Sequence, residues 1–126
     1  MQVVIVEPKK KPTVQNINDG LEAMQKIVGG TIQAIYPFEE AIALICNDEG
    51  KFLNLPLNRA LRDSTGCVYD IVAGTFFLCA APPDSDNFAS LTEEQTQTCL
   101  KRFAVPEQFT QVGDAVLSFR LRKVYR

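Results

Sequence analysis

Residues 31–55 read TIQAIYPFEEAIALICNDEGKFLNL. Three short apolar runs, at 31–36, 41–46 and 51–55, are separated by Tyr36-Pro37-Phe38 and by Asn47-Asp48-Glu49-Gly50, residue types that close turns through local hydrogen bonds, a fixed φ or a free one. The spacing predicts strands that fold back on one another in an antiparallel meander. Working outward, residues 75–81 (TFFLCAA) are apolar without alternation, as a strand covered on both faces should be. Residues 2–7 are a β-branched run and residues 13–17 alternate, so Pro8-Lys9-Lys10-Lys11-Pro12 reads as the connection of a hairpin. After it, Asn18 or Asp19 is placed to cap a helix whose Leu21, Met24, Ile27 and Val28 share one face, and Gly29-Gly30 stops it.

Residues 56–63 predict a single helical turn, and residues 63–66 return the chain to a strand at 68–72. Ser90 and Glu93 have the spacing of a capping box at the head of a helix running to Phe103, before Pro106. From 115 to 125 the chain alternates again, with Val116, Ser118, Arg120 and Arg122 opposite Leu117, Phe119 and Leu121, which predicts a terminal strand. The expected architecture is α+β: a single domain over residues 1–126, a mostly antiparallel sheet with two helices.

Composition narrows the chemistry. The 126 residues are 46% hydrophobic and 22% charged, ordinary globular values, and a chain of this size buries enough surface to need no metal or disulfide staple. Thirteen basic and fifteen acidic residues give a formal charge of -2, so any basic site must be local. There is no histidine, which removes Ser-His-Asp and Cys-His nucleophiles, HExxH chemistry and Cys/His zinc fingers. Cys46, Cys67, Cys79 and Cys99 form no CxxC pair, and three of them sit in apolar surroundings where a thiol acts as a small hydrophobe. The start MQVVIVEPKKK lacks the order of a signal peptide, and no apolar run is long enough to span a bilayer, so a cytoplasmic protein without a membrane partner is expected. Asp84 and Asp86 lack the glycine and glutamate of a calcium loop, and neither a P-loop nor GxGxxG is present. The expectation is therefore no metal, no cofactor and no catalysis.

Several blocks recur in order: Ile27-Val28-Gly29-Gly30, Tyr36-Pro37-Phe38-Glu39, Cys46-Asn47-Asp48-Glu49-Gly50-Lys51, Leu55-Pro56-Leu57-Asn58-Arg59-Ala60, residues 69–77 and residues 91–95. Over about residues 1–109 the chain resembles the bacterial and phage family called domain of unknown function 3846, and residues 110–126 lie outside the pattern as a basic tail. The resemblance implies genomic company rather than mechanism: cargo of phages and conjugative elements, where small proteins disarm host defences.

Four clusters are candidate sites. Asn58, Arg59 and Arg62, with Tyr69 and Asp70, concentrate planar hydrogen-bonding groups in an expected non-strand segment, suited to an anionic nucleotide. Equally, Arg59 and Arg62 pair with Asp63 and Asp70 to fasten a connection. Tyr36, Phe38, Glu39 and Glu40 form an acidic and aromatic partner-binding cluster, or a turn with one aromatic tucked inwards. Lys9, Lys10 and Lys11, and the stripe Arg120, Arg122, Lys123 and Arg126, suit nucleic-acid phosphates, or are a solvated loop and a charged edge strand. The function expected is a non-catalytic anti-defence (for example anti-CRISPR) protein of a mobile element. It would sequester a nucleotide signal, a homo-oligomer completing the pocket, or block an immune effector such as a Cas nuclease. The alternative is a nucleic-acid-associated accessory protein of a conjugative element.

Overall fold

Val3, Val4 and Val6 are inaccessible to solvent and Ile5 nearly so, and side chains alternate across a strand, so the first strand must be covered on both sides. The computed structural model, which describes residues 1–120, shows how. Strand β1 (Gln2–Val6) pairs with β2 (Thr13–Asn16), helix α1 (Leu21–Val28) follows, and β3 (Ile32–Ile35), β4 (Ile42–Asn47), β5 (Leu57–Arg62), β6 (Val68–Ala73) and β7 (Phe76–Ala80) lead to α2 (Glu93–Arg102), β8 (Glu107–Val112) and β9 (Ala115–Arg120). A five-stranded sheet has the order β2-β1-β7-β4-β3, every neighbouring pair antiparallel, and β5-β6 and β8-β9 form separate two-stranded ribbons. This is the expected α+β architecture with two helices.

Alternation divides the core. Val3, Ile5, Ala43, Ile45, Phe77 and Cys79 meet Met24 and Val28 of α1. From the opposite face Val4, Val6, Leu44, Phe76 and Leu78 meet Leu61 and Val72 of the β5-β6 hairpin and Cys99 and Phe103 at α2. Phe76 and Phe103 touch edge to face, with ring centroids 5.3 Å apart. The apolar runs of β1, β4 and β7 thus read as they do because each is sandwiched.

Four local expectations are corrected. Residues 51–55 are not a strand. They wind back on themselves, Leu53 N–H bonding to Glu49 O and Leu55 N–H to Gly50 O, with Asn54 at φ 56°. The buried Gly50 fixes this course, because a Cβ there would lie 2.9 Å from the Ala73 carbonyl oxygen. Residues 57–62 are a strand rather than a helical turn: the pairing with β6 shifts register between Leu57 and Arg59 and between Leu61 and Arg62, and Asn58 and Arg59 are both buried. The capping box uses Thr92 and Gln95, whose side chains each accept the other's backbone N–H. Leu91 has to enter the core, so the helix begins later, and Ser90 Oγ accepts the Gln2 N–H instead. Helix α1 is capped by Gly20 with no side-chain bond, while Gly29 closes it at φ 81° as expected.

The expected terminal strand is one half of a ribbon. Gly113, at φ 61°, opens a two-residue turn of the kind that matches strand twist. One ribbon face, with Glu107 and Ser118, packs on β5, and the other carries Gln108, Thr110, Val112, Ala115, Leu117 and Phe119, all exposed and none charged. Arg122, Lys123 and Arg126 lie outside the described residues. Among the described residues no helix is long and apolar enough to cross a membrane.

Burial pushes the Cys46 thiol up to about 11, helped by Asp70 and Asp48, and pushes Cys79 and Cys99 to about 12, whereas Cys67 is exposed. A thiol reagent such as Ellman's reagent is accordingly expected to titrate Cys67 at once and the other three only at the rate of unfolding; rapid loss of all four would contradict this packing.

Candidate functional site

The Arg59 side chain is 1% exposed, and each of its N–H groups is used. Nε and Nη2 donate to Phe103 O, Nη2 also to Lys10 O at 2.6 Å, and Nη1 to Asn58 O and Asn58 Oδ1. The Asn58 amide in turn donates to Val6 O and Gly74 O, both at 2.8 Å. A guanidinium has five N–H donors and an amide two, so neither side chain has a donor left for a ligand. The expected partners Asp63 and Asp70 are elsewhere. Asp63 closes its own turn, its carboxylate accepting from the Thr65 hydroxyl and the Thr65 and Cys67 amides, which hold its pKa below the usual carboxylate range. Asp70 pairs with Lys51. Asn58 and Arg59 therefore form a structural clamp, and the clamp lays the Lys9–Lys11 connection beside the end of α2.

Arg62 is arranged differently. Its Nη2 donates to Glu107 Oε1 at 2.7 Å and to Ser118 Oγ, while Glu107 Oε2 accepts the Ala60 N–H at 3.0 Å. Burial alone would raise the Glu107 carboxyl, but bonds from Arg62, Ser118 and Ala60 and the Arg62 charge outweigh it and hold the group below its ordinary value. Arg102 Nη2 donates to Arg62 O at 2.9 Å, so two guanidinium groups sit where α2, β5 and the β8-β9 ribbon meet.

A groove runs past these two arginines. On one side a compartment of about 220 Å³ is lined by Arg62, Lys101, Arg102 and Arg120, with Glu107 its one acid. On the other side a compartment of about 520 Å³ is lined by Phe38, Glu39, Glu40, Asp63 and Tyr69. Arg62 and Arg102 border both. Among the described residues Lys101, Arg102 and Arg120 have no acidic partner within salt-bridge distance. The Tyr69 side chain is 56% exposed, whereas Phe38 leans edge-on against Phe103, with centroids 6.2 Å apart.

The fold thus joins two clusters far apart in sequence, Arg62 and Tyr69 with Phe38, Glu39 and Glu40, and separates Asn58, Arg59 and Asp70 from them. Tyr36 is exposed but does not line the groove. Lys101, Arg102 and Glu107 escaped notice in the sequence: two cations in a helix's last turn are common, and nothing local marks Glu107 as the partner of a residue 45 positions earlier.

A model of the family described as Domain of unknown function (DUF3846) matches residues 1–104. The chain belongs to this family. The family match covers the sheet, both helices and the β5-β6 hairpin and ends before the β8-β9 ribbon, so Ala60, Arg62, Lys101, Arg102 and Phe103 of the smaller compartment are family residues and Val105, Glu107 and Arg120 lie beyond the match. No curated protein and no solved structure matches the chain.

Replacing Arg59 by Met is expected to lower stability by about 3 kcal/mol or more in urea unfolding, because buried carbonyl oxygens lose their donors; Arg62→Ala should cost about 3 kcal/mol, because the buried Glu107 loses its cation. Glu107 predicts a pH dependence. Its folded pKa is depressed, so its contribution is complete above the unfolded value of roughly 4.3 and disappears as pH falls through the folded value. Stability should therefore drop on acidification more steeply for the native chain than for Glu107→Gln; parallel curves would show that Glu107 does not stabilise the ribbon.

Proposed function

We infer that the protein binds an anionic nucleotide in this groove and holds it without turning it over. The observation that carries the reading is the compartment in which Lys101, Arg102 and Arg120 converge while its one carboxylate, Glu107, is already occupied by Arg62, Ser118 and Ala60. Uncompensated cations around a small volume suit phosphate oxygens; Lys9, Lys10 and Lys11 do not line the compartment, and Lys10 is paired with Glu7. The adjoining compartment offers the Tyr69 ring for stacking and the carboxylates of Glu39, Glu40 and Asp63 as acceptors for base N–H and ribose hydroxyl groups. The absence of histidine and the burial of three thiols support binding over chemistry. With the mobile-element company that the resemblance implies, sequestration of a nucleotide signal is the activity we propose; it gives the groove a small ligand and leaves the blocking of a nuclease effector as the weaker reading.

The same cations would also favour a nucleic-acid strand, and salt and ligand size separate the two. Isothermal titration against cyclic nucleotides, ADP-ribose and ATP is expected to give heat that vanishes with the corresponding nucleosides. A Lys101→Ala/Arg120→Ala variant should bind roughly tenfold to a hundredfold more weakly. Absence of heat with every nucleotide, alongside an electrophoretic shift of DNA or RNA that salt abolishes, would replace the proposal with the accessory nucleic-acid role.

A further inference from the structure

A second recess lies on the β3 side of the molecule, with a volume of about 660 Å³. Its floor is apolar, made by Ile35, Cys46, Ile71 and Val72, and its rim is acidic, with Asp48, Glu49 and Asp70 against one cation, Lys51. Lys51 is already paired with Asp70, and among the described residues Asp48 and Glu49 have no cationic partner. Phe52 stands on the same rim with 86% of its surface exposed. The turn that presents it is well held: Asn47 Oδ1 accepts the Glu49 N–H, Asn47 Nδ2 donates to Val28 O, and Gly50 packs on Ala73. Phe52 and the neighbouring, half-exposed Leu53 put adjacent apolar side chains on this turn, within reach of a partner.

The backbone beside the recess is equally open. Among the described residues strand β3 is the last of the five-stranded sheet and pairs only with β4, so its outer edge presents N–H and C=O groups without a strand partner there, and Gln33 and Ile35 of that strand reach the recess. We propose that the outer edge of β3 and the adjoining recess form a docking site for an extended, basic segment of a partner protein, which adds to the sheet as a sixth strand and lays alternate Arg or Lys side chains between Phe52 and the Asp48-Glu49 rim. Main-chain bonds to β3 supply the pairing, the apolar floor takes the aliphatic stems, the carboxylates take the charges, and a guanidinium covers the Phe52 ring. The fit is one of charge complementarity: two unpaired carboxylates above an apolar floor discriminate against an acidic segment and leave a neutral one without its end contacts.

The test is a nuclear magnetic resonance titration of the full chain with three blocked hexapeptides: alternating Arg-Val, alternating Glu-Val, and the Arg-Val peptide with its central valine replaced by proline. The Arg-Val peptide is expected to shift the amides of β3 and residues 48–52 and 70–73, and the proline peptide to bind more weakly because it lacks a ladder donor. Asp48→Asn/Glu49→Gln and Phe52→Ala, all at exposed positions, should each weaken binding roughly tenfold while leaving the circular dichroism spectrum unchanged. Equal affinity for the Glu-Val peptide, equal affinity for the proline peptide, or shifts confined to the Arg62-Arg102 groove would overturn the proposal. So would concentration-dependent shifts of β3 without peptide, which would show a second copy of the chain as the occupant.

Discussion

A buried guanidinium is the constraint on which this structure turns. Removing a charge from water is costly, and Arg59 meets that cost with hydrogen bonds rather than with a carboxylate in contact: the acceptors are Phe103 O, Lys10 O and the two oxygens of Asn58. Burial draws its pKa below the usual guanidinium value, an effect that Glu107 opposes, and the group remains charged near neutrality. A methionine or leucine would fill the same space, but only a rigid fork of donors specifies where three backbone segments lie relative to one another. The β1-β2 connection, the β5 strand and the end of α2 are positioned by one side chain, and the cationic compartment is a by-product of their convergence.

How much of this could be read from the residues depended on the range of the interactions. The apolar runs of β1, β4 and β7 were legible because burial on both faces leaves an unbroken signature. Gly29 was legible as a helix stop because its positive φ is a local demand. The failures share one cause. Asn58 and Arg59 have the composition of a turn, and their strand conformation is dictated by Val6, Gly74, Lys10 and Phe103, up to 52 residues away. Residues 51–55 have the composition of a strand, and they turn instead, their amides returning to Glu49 O and Gly50 O where Gly50 packs closely on Ala73. Ser90 and Glu93 had the spacing of a capping box, yet the burial of Leu91 moved the helix start by two residues.

The same reasoning explains which candidate residues survived. Arg62, Tyr69, Phe38, Glu39 and Glu40 were singled out by type, and the β5-β6 hairpin brings them to one groove. Asn58 and Arg59 were singled out on the same grounds and are spoken for internally. Chemical type identifies groups capable of binding, and only tertiary position tells which of them are still available. Asp70 shows a third outcome, held away from the Arg62-Arg102 groove and placed on the acidic rim at the β3 edge.

The position of β1 has a consequence for how the chain comes to be folded at all. This strand precedes the other described strands in the chain, yet one of its neighbours in the sheet is β7, with Val4 registered against Leu78. At ordinary rates of translation the two are separated by roughly 4–15 s of synthesis. Through that interval β2 on one edge and α1 on one face are what β1 has beside it, and the edge that β7 will occupy stays open to a stranger.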